Sequence, residues 1–90
     1  MNEHKFILKR TSHIIYSGEK IILHDKIKDK YYSFIRESHF ILMSLNSVYS
    51  VKRIINDTEA YFKIPRNIAE FFVINFLKDL LEKDLIEEVL

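Results

Sequence analysis

The side chains able to do chemistry in this chain are few and dispersed. Four histidines, His4, His13, His24 and His39, never recur at i,i+3 or i,i+4, the spacing that sets two imidazoles on one helical face around a metal ion. There is no cysteine, which excludes disulfides and thiolate metal sites and fits a reducing compartment. Gly18 is the single glycine, so no glycine-rich loop is available to gather backbone N–H groups around a phosphate. No Ser or Thr stands in a nucleophile context. The carboxylate pairs Glu82/Asp84 and Glu87–Glu88 lie near the end of the sequence without a pocket-forming pattern, and solvation is their expected state. The expectation is a protein that is not an enzyme and uses no cofactor or metal.

The unusual feature is aromatic. Seven Phe and five Tyr occur in ninety residues, and several stand side by side: Tyr31–Tyr32, Tyr61–Phe62 and Phe71–Phe72. Neighbours on a strand face opposite ways, and neighbours on a helix differ by about 100°. One member of each pair therefore falls outside the central core, either as satellite packing or as the wall of a groove for a partner. The stretch Lys30–Tyr–Tyr–Ser–Phe–Ile–Arg36 poses this most sharply. As a strand it sets Tyr31, Ser33 and Ile35 on one face and Tyr32, Phe34 and Arg36 on the other, so both faces are apolar enough to need a cover.

The elements that must position these residues follow from pattern. Phe6 to Lys9, His13 to Tyr16, Lys20 to His24 and Lys30 to Arg36 read as short strands of an antiparallel meander, with Ser17–Gly18 and the charged run Asp25 to Lys30 as turns. Helices follow. The first spans about Glu37 to Asn46, with Ile41, Leu42 and Leu45 on one face. The second starts after Ser50 as N-cap and repeats Val51, Ile54, Ile55, Thr58, Tyr61 and Phe62 at helical spacing. The third follows Pro65, with Asn67 as N-cap and Glu70 completing a capping box. It runs to about Lys83. Ala69, Val73, Phe76, Leu77, Leu80 and Asp84 form its core arc; Ile68, Phe72, Asn75 and Asp79 form an adjacent arc the core need not cover. Leu85–Ile86 is expected to pack back as a short extended piece. Strands over about 6–36 and helices over about 37–84 predict one α+β domain spanning 1–90, with a winged helix-turn-helix arrangement: a three-stranded antiparallel sheet followed by three helices.

Composition sets the outer limits. With 48% hydrophobic, 30% charged and 13% aromatic residues, the chain is that of a folded soluble domain. It has neither a signal-peptide run nor a segment near the ~20 apolar residues of a membrane helix, so a cytoplasmic protein without membrane contact is expected. The net charge of +1 hides an asymmetry: residues 1–36 sum to +4 and residues 37–90 to −3, a bias toward acidic partners at the N-terminal part. A winged helix invites a DNA-binding regulator as one reading. But residues 67–83 carry only Lys78 and Lys83 against Glu70, Asp79 and Glu82, and Lys52 and Arg53 are offset by Asp57 and Glu59. A DNA reader needs cations on its recognition helix, so nucleic acid is not the expected partner.

The order of segments resembles a known family. Ile21 to Ile35 ("IILHDKIKDKYYSFI"), a helix, Ser50 to Phe62 ("SVKRIINDTEAYF"), and a third helix with Val73, Phe76, Leu77 and Leu80 leading to Leu85–Ile86–Glu87 resemble the PqqD-like recognition elements for ribosomally made, post-translationally modified peptides. The likeness runs from about Ile21 to Val89 and rests on apolar spacing, not on catalytic residues. It departs where the family often has Gly: Asp29 in the turn before the third strand of the sheet, Asn46 or Ser47 after the first helix, and Asp84 before "LIE". It also lacks the Leu–Asn pair often found before the first helix; Phe34–Ile35 or Ile35–Arg36 stands there.

The resemblance implies that the leader of a precursor peptide adds as a further strand to the third strand of the sheet and lies against the third helix. The residues implied are Lys30, Tyr31, Tyr32, Ser33 and Phe34 on the strand, Ile68, Phe72, Asn75, Phe76 and Asp79 opposite, and Lys28 with Lys30 attracting acidic leader residues. Tyr31 and Tyr32, and likewise Phe71 and Phe72, are interchangeable at this level. A small member without a fused enzyme is most similar to the stand-alone recognition subunit of lasso-peptide clusters, which presents the precursor to a transglutaminase-like leader peptidase. A peptide chaperone for a radical-SAM enzyme, as in pyrroloquinoline quinone biosynthesis, is the alternative, and a bare adaptor subunit a third reading. A monomer or a weak or strand-swapped dimer is expected.

Overall fold

The computed structural model describes residues 2–89. It contains β1 (Phe6–Leu8), β2 (Ser12–Ser17), β3 (Lys20–Asp25), β4 (Lys30–Ile35), α1 (Ser38–Asn46), α2 (Val51–Phe62), α3 (Arg66–Glu82) and β5 (Ile86–Glu88). The order β2-β3-β4 forms an antiparallel three-stranded sheet, and β1 pairs with β5 in a separate two-stranded one. This is the α+β arrangement that the sequence predicted, with one correction. The run from Phe6 does not join the meander; it pairs with the returning tail, Phe6 opposite Glu88 and Leu8 opposite Ile86. The physical reason is burial. Phe6, Leu85 and Ile86 are all core residues, so both ends of the chain deliver apolar side chains to the helices rather than to the sheet.

The β2-β3 hairpin turns on Gly18, whose φ of 62° suits the first central position of a two-residue turn. The β3-β4 turn is held by the buried carboxylate of Asp25, whose Oδ1 accepts from the N–H groups of Ile27 and Lys28 at 3.1 and 3.3 Å. Ser50 caps α2 as expected, its hydroxyl accepting from the Arg53 N–H at 3.2 Å. The N-terminal segment adds to that cap: Val51 and Lys52 donate their N–H groups to the carbonyls of His4 and Asn2, each at 2.9 Å. Free N–H groups at a helix start are thereby satisfied by backbone.

α3 departs from expectation at both ends. Pro65 is its N-cap and Asn67 lies inside the helix, with no side-chain cap bond. Proline's fixed φ and missing N–H suit a helix entry, so the capping box of Asn67 and Glu70 is not used. Asp84 is exposed and not part of the core arc, because the helix ends at Glu82 and Asp84 turns left-handed with φ 59°. The rest of the arc, Ala69, Val73, Phe76, Leu77 and Leu80, is buried against Ile41, Leu42, Leu45, Ile54 and Ile55.

Candidate functional site: an open strand edge facing a helix

In the register of the sheet, Leu23 stands opposite Tyr32 and Ile21 opposite Phe34. Leu23 and Ile21 are buried, so Tyr32 and Phe34 share the inner face and point toward the helices. Tyr31, Ser33 and Ile35 lie on the outer face, opposite His24, Ile22 and Lys20. The alternation that the sequence left open is thus resolved in space: Tyr31 is 63% exposed while Tyr32 is half-buried. Tyr31 finds a partner of its own, lying parallel to the His24 ring at 4.2 Å. His24 Nε2 is in turn 2.9 Å from Asp29 Oδ1.

β4 is an edge of the sheet, and its far side is unpaired. No backbone hydrogen bond outside the sheet uses Lys30 to Ile35 among the described residues. The wall across from this edge is α3. Phe34 meets Phe76 edge to face, with centroids 5.3 Å apart, and Phe72 lies nearly parallel to Phe76 at 6.5 Å. At the other end Lys83 pairs with Asp79 and places its ammonium 5.8 Å from the centre of the Tyr32 ring. The resulting cleft has an aromatic floor of Phe34, Phe72 and Phe76 and a cation at one end.

The other residues singled out from the sequence are distributed around it. Ile68 is about half exposed near the start of α3. Asn75 is exposed and donates from its amide to the Phe71 carbonyl at 2.7 Å, an i−4 contact within the helix. Phe76 is 8% exposed and belongs mainly to the core. Lys30 is exposed at the start of the open edge strand, whereas Lys28 reaches Asp84 at 3.5 Å. Phe71 is 71% exposed, and none of the ring pairs of the aromatic floor includes it.

Sequence reasoning missed the apolar end of the cleft. Ile35, Glu37, Phe62, Ile64 and Phe72 line a recess of about 210 Å³ where β4 ends and the loop between α2 and α3 passes by. Of these, only Phe72 is among the residues that the resemblance implies. The signal was present in the Tyr61–Phe62 pair, since one member had to lie outside the core. Tyr61 does so by stacking on Phe40 at 4.4 Å, and Phe62 turns toward the recess.

Charge around the cleft is anchored at Asp84. Its carboxylate holds Lys9 in a hydrogen-bonded ion pair and lies within reach of Lys28. The hydrogen bond from Lys9, and then its charge, hold the Asp84 carboxyl below the usual aspartate range; the same hydrogen bond raises the Lys9 ammonium above its ordinary value. Among the described residues no group of three His, Cys, Asp or Glu could hold a metal ion, and no helix is long and apolar enough to cross a membrane.

No protein-family profile matches the chain, and no curated protein matches it either. Solved structures do. TbiB1 in complex with the TbiA(beta) leader peptide aligns with a TM-score of 0.79 at 17% identity, covering 90% of this chain and 94% of that one. Lasso peptide synthetase B1 complexed with the leader peptide aligns with a TM-score of 0.80 at 16% identity, covering 91% and 96%. The chain shares the fold of these proteins over nearly its whole length, the fold that resemblance to the PqqD-like family implied.

Proposed function

We propose that this protein binds the leader segment of a ribosomally made precursor peptide, which adds as a strand to the free edge of β4. In this reading it is an accessory subunit without catalysis of its own, acting in lasso-peptide biosynthesis and handing the precursor to a transglutaminase-like leader peptidase. The observation that carries the reading is the unpaired β4 edge lined by α3, in a fold shared with two proteins solved as leader-peptide complexes. An open edge is an aggregation hazard unless something uses it. A peptide strand satisfies its N–H and C=O groups, while side pockets select the sequence. Phe34, Phe72 and the recess beside Ile35 would take apolar side chains. Lys30 and Lys83 would favour acidic residues toward the opposite end of the strand.

Fluorescence anisotropy with a labelled leader from a precursor encoded beside this chain tests the reading. Saturable binding is expected. Its absence with every neighbouring leader, in protein shown to be folded, would sink the proposal; a tight, salt-sensitive shift of duplex DNA would point instead to a nucleic-acid regulator.

A further inference from the structure

The sheet has a second open edge that leader binding leaves untouched. β2 packs on β3 alone, and its six residues, Ser12 to Ser17, contain no charge, Pro or Gly. Natural edges are commonly blunted by Lys, Pro or a bulge; this one is not. The hairpin closes on Ser17 opposite Lys20 across two residues. Alternation of the ladder from that closing pair turns the backbone of Ser12, Ile14 and Tyr16 outward. The Ser12 N–H is already taken by the Lys9 carbonyl at 3.0 Å, and no hydrogen bond outside the hairpin uses the backbone of Ile14 or Tyr16 among the described residues. The free donors and acceptors therefore sit symmetrically on either side of Ile15.

We infer that β2 pairs with β2 of a second copy of this chain, antiparallel about a two-fold axis at Ile15. An axis perpendicular to the sheet keeps inner and outer faces in register, so Ile15 meets its own copy and Ile14 lies opposite Tyr16. Both free N–H groups then find both free carbonyls, twice over. Ile15, 40% exposed on the outer face, becomes covered. A stretch of six residues is only about 20 Å long. It buries less than the roughly 1,200 Å² of a standard stable interface, so the dimer is weak and depends on concentration. Two β4 edges remain free at the ends of the resulting six-stranded sheet. This inference does not rest on the leader-binding reading.

Sedimentation equilibrium from about 10 μM to about 1 mM, a range suited to weak association, reads it directly. Wild-type protein should pass from monomer to dimer. Ile15→Lys should move that midpoint upward at least tenfold, and Ser33→Lys on β4 should leave it in place. In the wild type, amide exchange at Ile14 and Tyr16 should slow as concentration rises, a readout independent of any variant's folding. A monomer at the top concentration, unchanged exchange at those two amides, or a dimer lost in Ser33→Lys but kept in Ile15→Lys would overturn the inference.

Discussion

Neighbouring residues of the same type have different fates here. Tyr31 stacks on His24 on the outer face, while Tyr32 faces α3 under the Lys83 ammonium. Phe72 lies along Phe76, while Phe71 is 71% exposed. Leader binding should therefore separate the members of each pair. Tyr32→Ala and Phe72→Ala are expected to weaken it at least tenfold, about 1.4 kcal/mol. Tyr31→Ala and Phe71→Ala are expected to leave it within about twofold, a change under about 0.5 kcal/mol. Anisotropy titrations of the four variants, with circular dichroism to verify folding, compare them; equal losses at Tyr31 and Tyr32 would misplace the cleft. A second residue-scale feature is Val48, whose φ is 56°. A β-branched side chain in the left-handed region costs about 1–2 kcal/mol, whereas glycine is at ease there but loses about 0.5–1 kcal/mol of chain entropy on folding. Val48 is also half-buried, and glycine forfeits that packing, so Val48→Gly is expected to stay within about 1 kcal/mol of wild type, far milder than the loss of a buried valine, read as a small change in urea midpoint at unchanged slope. The resemblance sets a glycine position at Asn46 or Ser47; the residue that is left-handed after α1 is Val48, because α1 continues to Asn46 and Ser47 is still right-handed.

At the scale of elements, α2 owes its start to Ser50 and to the strand-like N-terminal segment lying across it. Ser50→Ala removes the acceptor for the Arg53 N–H and should cost about 1 kcal/mol in chemical denaturation. No loss would mean that the backbone contacts from Asn2 and His4 suffice. α3 shows the complementary case. Its capping box is legible in the sequence but idle, because Pro65 already fixes the entry two residues earlier. β4 is the element on which the proposed function turns. Its strand character was plain from Tyr–Tyr–Ser–Phe–Ile, and its place at the sheet edge follows from a meander in which only the middle strand, β3, gains two neighbours.

Across the whole molecule, the ion pair of Lys9 and Asp84 ties the segment after β1 to the end of α3, beside the β3-β4 turn that carries Lys28. Asp84 has its folded-state value lowered from 3.8, first by the hydrogen bond from Lys9. Its contribution is present above about pH 4 and fades as pH falls through the lowered value. Lys9 is raised from 10.5, so its contribution holds below that value and is lost as pH rises through the raised one. Asp84→Asn, which keeps a residue tolerant of positive φ, should be less stable than wild type at neutral pH. The two should converge in strong acid. In an NMR titration the Asp84 carboxyl should show a midpoint below 3.8 that returns toward it in Lys9→Met; an unchanged midpoint would show that the pair is not formed.

The sequence by itself determined the elements and their order, because hydrophobic period and turn chemistry are local. Val51, Ile54, Ile55 and Thr58 recur at helical spacing, and strand alternation returns at Ile21 and Leu23. It also determined that catalytic chemistry had little to work with: no cysteine, one glycine and dispersed histidines. Three matters only the tertiary structure decided. The run Phe6–Leu8 left the meander for the tail Ile86–Glu88, a pairing across nearly the whole chain that no local pattern encodes. Asp84 left the core arc because α3 stopped at Glu82, where the left-handed turn sends Leu85 and Ile86 back inward. The two tyrosines could be told apart only by their partners, because a strand's two faces are equivalent until the sheet packs. Burial of Ile21 and Leu23 chose the inner face of β3, and cross-strand register passed that choice to Tyr32 and Phe34.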